Sequence, residues 1–183
     1  LLGLCGGEPA VALGVGLGGF RAVAALFHML NHSLCKSISF CCAGSLGQAY
    51  GTHDMRRMTR MLRVSPAWGT GLLTGLLTLI GVAPFSIFLS EFLILKSAVE
   101  TGSYWTAAFF LTGLGVVFVG ILRNAISMAW EPLKEEVVMR KTRLLDGLLV
   151  FTPLAVLLMM GVYLPRPFLG ILMQAADILG GAP

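Results

Sequence analysis

The stretch that decides the fold is LTLIGVAPFSIFLSEFLIL, residues 77–95, an apolar run that contains a glycine, a proline and one carboxylate. Pro84 lacks a backbone N–H and Gly81 loosens the preceding turn, so a helix through this run is predicted to break near mid-membrane. Broken helices are tolerated at that depth only where they are buried in protein or line a water-filled cavity. The run therefore predicts a broken membrane helix that presents Glu91 to a cavity.

The composition of the whole chain indicates a membrane protein. Of its 183 residues, 56% are hydrophobic and only 12% are charged, and its mean hydropathy is +0.85. Soluble domains carry about 25% charged residues. Because one membrane helix needs about 20 apolar residues, the length allows about four spans and no sizeable soluble domain. No basic stripe is interleaved with aromatic residues, which argues against a nucleic-acid partner.

Apolar runs separated by polar segments give the predicted order of the spans. Residues 1–15 are expected to be the truncated end of an earlier helix and a loop, residues 16–132 a core of three spans, and residues 133–183 a fourth span with an interfacial tail. The predicted spans are residues 16–50, 68–96, 104–128 and 144–164, with an aqueous connection at 51–66 and the tail at 168–179. The first span is long, so it is expected to be tilted or broken at its glycines. The fold class is an all-α membrane protein.

Basic residues predict the orientation. The connection after the first span carries Arg56, Arg57, Arg60 and Arg63 against a single Asp54, and the connection after the third span is also rich in lysine and arginine. These residues accumulate on the cytoplasmic side of membranes. Both connections are therefore predicted to be cytoplasmic, with both termini facing outward.

The first span contains HMLNHSLCK, residues 28–36, in which two histidines and a lysine recur every four residues. A helix turns about 100° per residue, so His28, His32 and Lys36 share one narrow face about 12 Å long. A charged group at mid-membrane costs about 2.5–3.5 kcal/mol, so this face is predicted to look into protein or a water-filled cavity. Because histidine titrates near neutral pH, the pattern indicates a proton path with Glu91 as the next acceptor.

Other interpretations of these residues stay open from the sequence. The polar groups also fit snorkelling side chains, or side chains satisfied by neighbouring helices. Two imidazoles at i and i+4 can share a metal ion, although neither a carboxylate nor a thiolate lies on the same turn. Glu91 could instead pair with Lys96 or with another neighbour beside a simple kink. The four cysteines have no zinc spacing and no C-x-x-C pair. We predict neither a metal, a cofactor nor a catalytic residue.

These motifs resemble those of the antiporter-like subunits of respiratory complex I, of multisubunit sodium/proton antiporters and of the membrane arms of group 4 nickel–iron hydrogenases. HMLNHSLCKSISFCCAGSLGQAYGTHD, residues 28–54, is similar to their His-x3-His-x3-Lys segment, and GVAPFSIFLSEFLIL, residues 81–95, to their broken helix. Within that superfamily, VSPAWG at residues 64–69 and FLTGLGVVFVGILRN at residues 110–124 look most like the F component of hydrogenase-4.

The resemblance implies that the chain is the C-terminal portion of a subunit with fourteen helices, corresponding to helices eleven to fourteen. It implies that His28, His32 and Lys36 form an internal proton relay and that Glu91 exchanges protons with the outside. The family's first half, with its own glutamate–lysine pair, is missing from this chain, and Ala83 stands where relatives often have proline.

The function that the resemblance implies is proton translocation in the inner (plasma) membrane of a prokaryote. The partners would be lipid and the other membrane subunits of a hydrogenase-like or complex I-like assembly. Those partners would carry the redox centres, since nothing in this chain binds one. The alternatives are a sodium/proton antiporter module and a truncated structural subunit that transports nothing.

Overall fold

The computed structural model describes residues 20–55, 57–132 and 143–179, which fold into helices without a strand. The helices are α1 Phe20–Tyr50, α2 Met61–Val64, α3 Pro66–Leu79, α4 Ser86–Glu100, α5 Tyr104–Trp130, α6 Leu144–Val162 and α7 Arg166–Leu179. The all-helical class predicted from the sequence is confirmed. The predicted N-terminal loop at 1–15 and most of the second basic connection, 133–142, lie outside the described residues.

The first predicted span forms one unbroken helix, α1, of 31 residues. At 1.5 Å per residue it is about 46 Å long, so it exceeds the hydrocarbon core of a bilayer, about 30 Å. Of the two outcomes expected for this span, the glycines do not break it within the described residues. A helix of this length must tilt or extend beyond the membrane. Because the helix is unbroken, its polar residues stay on one continuous face.

The second predicted span forms two helices, α3 and α4, separated by residues 80–85. Gly81 has φ 71°, and its N–H and that of Val82 donate to carbonyls of the last turn of α3 at 3.1 and 3.2 Å. This is a Schellman motif, which requires a left-handed residue and therefore favours glycine. Pro84 follows in a cis peptide bond with Ala83. The interruption lies where Gly81 and Pro84 predict it, and its depth in the membrane stays a prediction.

Two helices, α5 and α6, are long and apolar enough to cross a membrane. They contain 27 and 19 residues, and most of their large apolar side chains are exposed, including Phe109 and Leu145. Such surfaces suit contact with lipid or with other membrane helices. The break divides the span before them into helices of only 14 and 15 residues, so the total of four spans stays a prediction.

The connection predicted to be aqueous is partly buried against the helices: five of its fifteen described residues are buried. Its place outside the membrane stays a prediction. Met58, Thr59 and Met61 are at most 4% exposed, and the hydroxyl of Thr59 donates to the carbonyl of Pro132 at 3.0 Å. Apolar residues recur at every third position among the arginines. This spacing places them on one side of the segment, so that side can pack against the helices, and the end of the segment forms α2. Arg57 keeps its side chain exposed, as expected.

Helix α1 lies at the centre of the packing, with α3 and α4 on one side and α7 against its N-terminal part. Helix α6 packs on both α3 and α4. It reaches the break through Gly161, where a Cβ atom would overlap the carbonyl oxygen of Pro84 and lie 2.6 Å from the nitrogen of Ser86. Only a residue without a side chain allows this backbone contact.

The tail forms α7, whose apolar side packs on the N-terminal part of α1. The rings of Phe168 and Phe27 meet edge to face with centroids 6.4 Å apart, and Leu172 is buried in the same cluster. The opposite side of α7 exposes Ile171 and Ile178. This two-sided pattern fits the expected place at the membrane interface, which stays a prediction.

Candidate functional site

Helix α1 carries a buried polar face formed by His28, Asn31 and His32, which are 1%, 1% and 8% exposed. The rings of the two histidines stack with centroids 5.4 Å apart and an interplanar angle of 25°. They share one face, as their spacing predicts. Lys36, one turn further along, is half-buried, and within the described residues it forms neither a hydrogen bond nor an ion pair.

One hydrogen bond connects this polar face to α4. Atom Nδ1 of His28 lies 2.8 Å from Oγ of Ser90, a residue 62 positions away in the sequence. The same Oγ lies 2.7 Å from the carbonyl oxygen of Ile87. Ser90 is fully buried and directly precedes Glu91, so the contact brings the α1 histidines to the turn that carries the predicted acceptor.

Ser90 is not among the residues that the sequence predicts for the site. The sequence does contain a pattern that could have pointed to it, because Ser86, Ser90 and Ser97 recur at i, i+4 and i+11 in a mostly apolar helix. All three are buried. Buried hydroxyls on one face of a membrane helix indicate a polar neighbour across the interface.

The carboxylate of Glu91 reaches back to the break. A Cβ atom at Gly81 would overlap Oε2 of Glu91, so the carboxylate occupies the space that the glycine leaves free. Lys96 does not pair with it: Nζ of Lys96 lies 3.7 Å from Oε1 of Glu100, on the exposed side of α4. The alternative of a Glu91–Lys96 pair is therefore wrong, and the carboxylate faces the gap between α3 and α4.

The break lies alongside the polar face of α1. Before the break, Gly75 of α3 contacts Ser39, since a Cβ atom there would lie 2.5 Å from the serine Oγ. After the break, Ser90 contacts His28. Cys35 also donates to the carbonyl of Gly75, at 3.3 Å. Because α1 runs antiparallel to α3 and α4, the part of α1 that passes residues 80–85 therefore lies between His28 and Cys35. Lys36 directly follows Cys35 and so lies level with Gly75 of α3, without a direct contact with Glu91 in the described part of the chain.

Three buried side-chain atoms at this interface have no hydrogen-bond partner among the residues that the structure describes: Nε2 of His28, Oδ1 of Asn31 and Oγ of Ser86. Buried polar atoms are normally satisfied by protein or by ordered water. The interface between α1 and α4 is therefore polar and incompletely satisfied by these protein groups.

The N-terminal side of the polar face is apolar. Phe27 and Val23 pack against Leu172 and Phe168 of α7, so the ring of His28 is the last polar group of the face before an apolar cluster. Across residues 20–55, 57–132 and 143–179, no group of three or more histidine, cysteine or acidic side chains lies together in a way that could hold a metal ion.

Residues 10–117 match the family described as "NADH:quinone oxidoreductase/Mrp antiporter, TM". This match covers more than half of the 183 residues. The chain belongs to this family. It is accordingly an integral membrane protein, and the family resemblance carried by its two motifs is confirmed.

Individual relatives come from several kinds of complex. The chain is 32% identical over 117 residues to the hydrogenase-4 component F homolog of Methylacidiphilum infernorum, covering 62% of this chain and 25% of the relative. It is 35% identical over 81 residues to NADH-quinone oxidoreductase subunit L of Rickettsia typhi, covering 44% of this chain and 12% of the relative.

A third relative, a Na(+)/H(+) antiporter subunit of Alkalihalophilus pseudofirmus, is 36% identical over 72 residues, which are 39% of this chain and 9% of the relative. The chain thus spans a quarter or less of the length of each of these relatives.

Proposed function

We propose that this chain is a proton-translocating membrane subunit of a hydrogenase-type or complex I-type redox assembly. Protons would pass along His28, His32, Lys36 and Glu91. The observation that carries the proposal is the polar face of α1 lying beside the break between α3 and α4, with the carboxylate of Glu91 turned into that break. The relatives from hydrogenase-4 and from NADH-quinone oxidoreductase support the choice of assembly.

Membrane energetics support a transport role for these groups. A charged side chain at the bilayer centre costs about 2.5–3.5 kcal/mol, so such residues face cavities or partners and mark ion pathways. His28 and His32 face the protein interior, and the unsatisfied oxygen atoms near them, Oδ1 of Asn31 and Oγ of Ser86, are suited to hydrogen bonding with water. Water in a polar interface supplies the connections between titratable groups that are too far apart to touch.

The proposed mechanism is an alternation of protonation between Lys36 and Glu91 across the break. Lys36, with no carboxylate partner in the described residues, can lose its proton without breaking an ion pair. A charge displaced in a neighbouring subunit would drive the transfer, because the electric field acts strongly between groups held in a low-dielectric interior. Electron transfer would take place in other subunits, and chain segments beyond these residues would complete the path.

A sodium/proton antiporter module is the second candidate, favoured by the relative that is named as part of a Na(+)/H(+) antiporter. The same polar face would then exchange protons against sodium without an electron-transfer partner. The two candidates differ in their driving force. A sodium gradient imposed across proteoliposomes, with no redox substrate, moves protons only in the antiporter.

The exchange of Lys36 for methionine tests the proposed function. In the complete complex, reconstituted in proteoliposomes and driven by its own redox reaction, Lys36→Met is expected to slow proton translocation by about tenfold or more, because a positioned acid–base group is lost from the path. Methionine keeps an unbranched side chain of similar length. Electron transfer is expected to continue.

The matched control is Lys96→Met, because Lys96 is exposed and pairs only with Glu100 among the described residues. It is expected to leave translocation unchanged. Equal translocation by the two variants would contradict the proton path and favour a structural subunit that only packs against its partners.

The contact between Gly81 and Glu91 gives a second test. Gly81→Ala places a Cβ atom where the carboxylate lies, so Glu91 must leave the break, and translocation is expected to fall about tenfold. The control is Gly102→Ala. Gly102 has the same φ of 71° and follows α4 with nothing within 4 Å of its Cβ position in the described part of the chain.

Both alanines carry the cost of a left-handed conformation, about 1–2 kcal/mol. The thermal unfolding midpoints of the two variants therefore show whether both lose the same amount of stability. Only Gly81→Ala is expected to affect translocation. An equal loss of translocation in both variants would contradict the role in translocation that is proposed for the Gly81–Glu91 contact.

A further inference from the structure

The contacts of Ser90 determine where His28 holds its proton. A serine hydroxyl has one hydrogen to donate and lone pairs that accept. Oγ of Ser90 lies 2.7 Å from the carbonyl oxygen of Ile87 and 2.8 Å from Nδ1 of His28. Since the single hydrogen can point to only one of these two atoms, there are two possible assignments.

In the first assignment the hydroxyl donates to the Ile87 carbonyl, and Nδ1–H of His28 donates to Oγ. Both short contacts then contain a hydrogen. In the second, the hydroxyl donates to a bare Nδ1, which leaves two oxygen atoms 2.7 Å apart with no hydrogen between them. Two acceptors at that distance repel each other, so the contact with Ile87 favours the first assignment.

The opposite side of the ring favours the same assignment. Nε2 of His28 is buried without a hydrogen-bond partner among the described residues. The second assignment would place an N–H there, and buried N–H groups without an acceptor are rarer than buried acceptors without a donor. Only the first assignment avoids this, because it leaves a lone pair on Nε2.

We propose that Ser90 is a positioning residue that keeps the proton of neutral His28 on Nδ1 and leaves Nε2 as the atom that exchanges the transferred proton. The second part of this statement rests on the proposed function. The tautomer of a histidine is set by the hydrogen bond of its other nitrogen, and here that bond is made to a residue of another helix.

The proton balance follows directly. The lone pair of Nε2 takes up a proton and the ring becomes an imidazolium, while Nδ1–H still donates to Ser90. The added proton leaves again from Nε2, because the hydroxyl hydrogen of Ser90 is held by a main-chain carbonyl that does not take up protons. Ser90 therefore orients the ring without carrying the proton, and the neighbouring titratable ring on the same face is that of His32, stacked 5.4 Å away.

Nitrogen NMR of the complete complex, labelled with ¹⁵N-histidine, tests the assignment. A difference spectrum against His28→Gln isolates the two ring nitrogens of His28. In the unaltered complex we expect a neutral ring with its hydrogen on Nδ1. In Ser90→Ala this signal is expected to be lost in favour of the Nε2–H form, whereas Ser90→Thr, which keeps the hydroxyl, and Ser97→Ala, a buried serine on the same face, are expected to retain it.

An Nε2–H ring at His28 in the unaltered complex would overturn the proposal, whether or not the variants assemble. An unchanged tautomer in Ser90→Ala would overturn it as well. The rate of proton translocation gives the second readout. In Ser90→Ala this rate is expected to fall about tenfold, because a wrong tautomer impairs proton transfer. Ser90→Thr is expected to keep most of the rate.

A shifted tautomer with undiminished translocation would contradict the exchange at Nε2. The proposed function fails separately, when Lys36→Met leaves translocation intact, and in that case the tautomer assignment still stands.

Discussion

In a complex that carries Glu91→Gln, proton translocation is expected to fall by about 100-fold or more, to the passive leak of the proteoliposomes. Glutamine has nearly the shape of glutamate and fits the space beside Gly81, but it cannot take up or release a proton at neutral pH. The geometry of the break is therefore kept while its titratable group is removed. The initial rate of acidification, measured with a pH-sensitive dye during turnover, gives the result.

The same exchange at Glu100 is the matched control. Glu100 lies on the exposed side of the same helix and pairs with Lys96, and surface ion pairs of this kind contribute about 1 kcal/mol or less. Glu100→Gln is expected to translocate protons at the unaltered rate. Normal translocation by Glu91→Gln, or a loss of equal size in both variants, would contradict the role assigned to Glu91.

Gly161→Ala is expected to destabilise the fold far more than the same exchange at Gly147, the other glycine of α6. The new Cβ atom would overlap the carbonyl oxygen of Pro84 and lie 2.6 Å from main-chain atoms of the next two residues. Backbone atoms cannot rotate away as a side chain does, so α6 must move off the break. Forcing extra volume into a packed contact costs about 1–3 kcal/mol of stability. Because the neighbouring atoms belong to the backbone, we expect the cost of this variant at the upper end of that range.

Gly147→Ala controls for the change of residue type within the same helix. The nearest atom to a Cβ at Gly147 is 4.0 Å away, an ordinary contact. Since alanine exceeds glycine in helix propensity by about 1 kcal/mol, this variant is expected to be neutral or slightly stabilised. Thermal unfolding of the two purified complexes in detergent compares them. Equal midpoints would show that the contact between α6 and the break does not contribute to stability.

Features encoded in local patterns are predictable from the sequence. The long apolar runs predict α5 and α6, and Gly81 with Pro84 predicts the interruption that the structure has at residues 80–85. The four-residue spacing predicts that His28 and His32 share a face. In each case the signal lies within one or two helical turns, where propensity and periodicity act directly.

Features that depend on contacts between distant segments are not predictable in this way. The partner of His28 is a serine 62 positions away, and no local pattern specifies which α4 residue faces which α1 residue. The contact of Gly161 with the break likewise depends on how α6 packs. The burial of Met58 and Met61 is also not predicted, because the neighbouring arginines dominate the composition of this short segment even though its apolar residues have helical spacing.

In the proposed mechanism, Glu91 takes up and releases protons at the break during turnover. The most direct test is the redox-induced infrared difference spectrum of the reconstituted complex, in which a carboxylic acid that gains or loses a proton shows its C=O stretching band. We expect a band that is absent in Glu91→Gln and retained in Glu100→Gln. A spectrum in which no such band depends on Glu91 would contradict this mechanism.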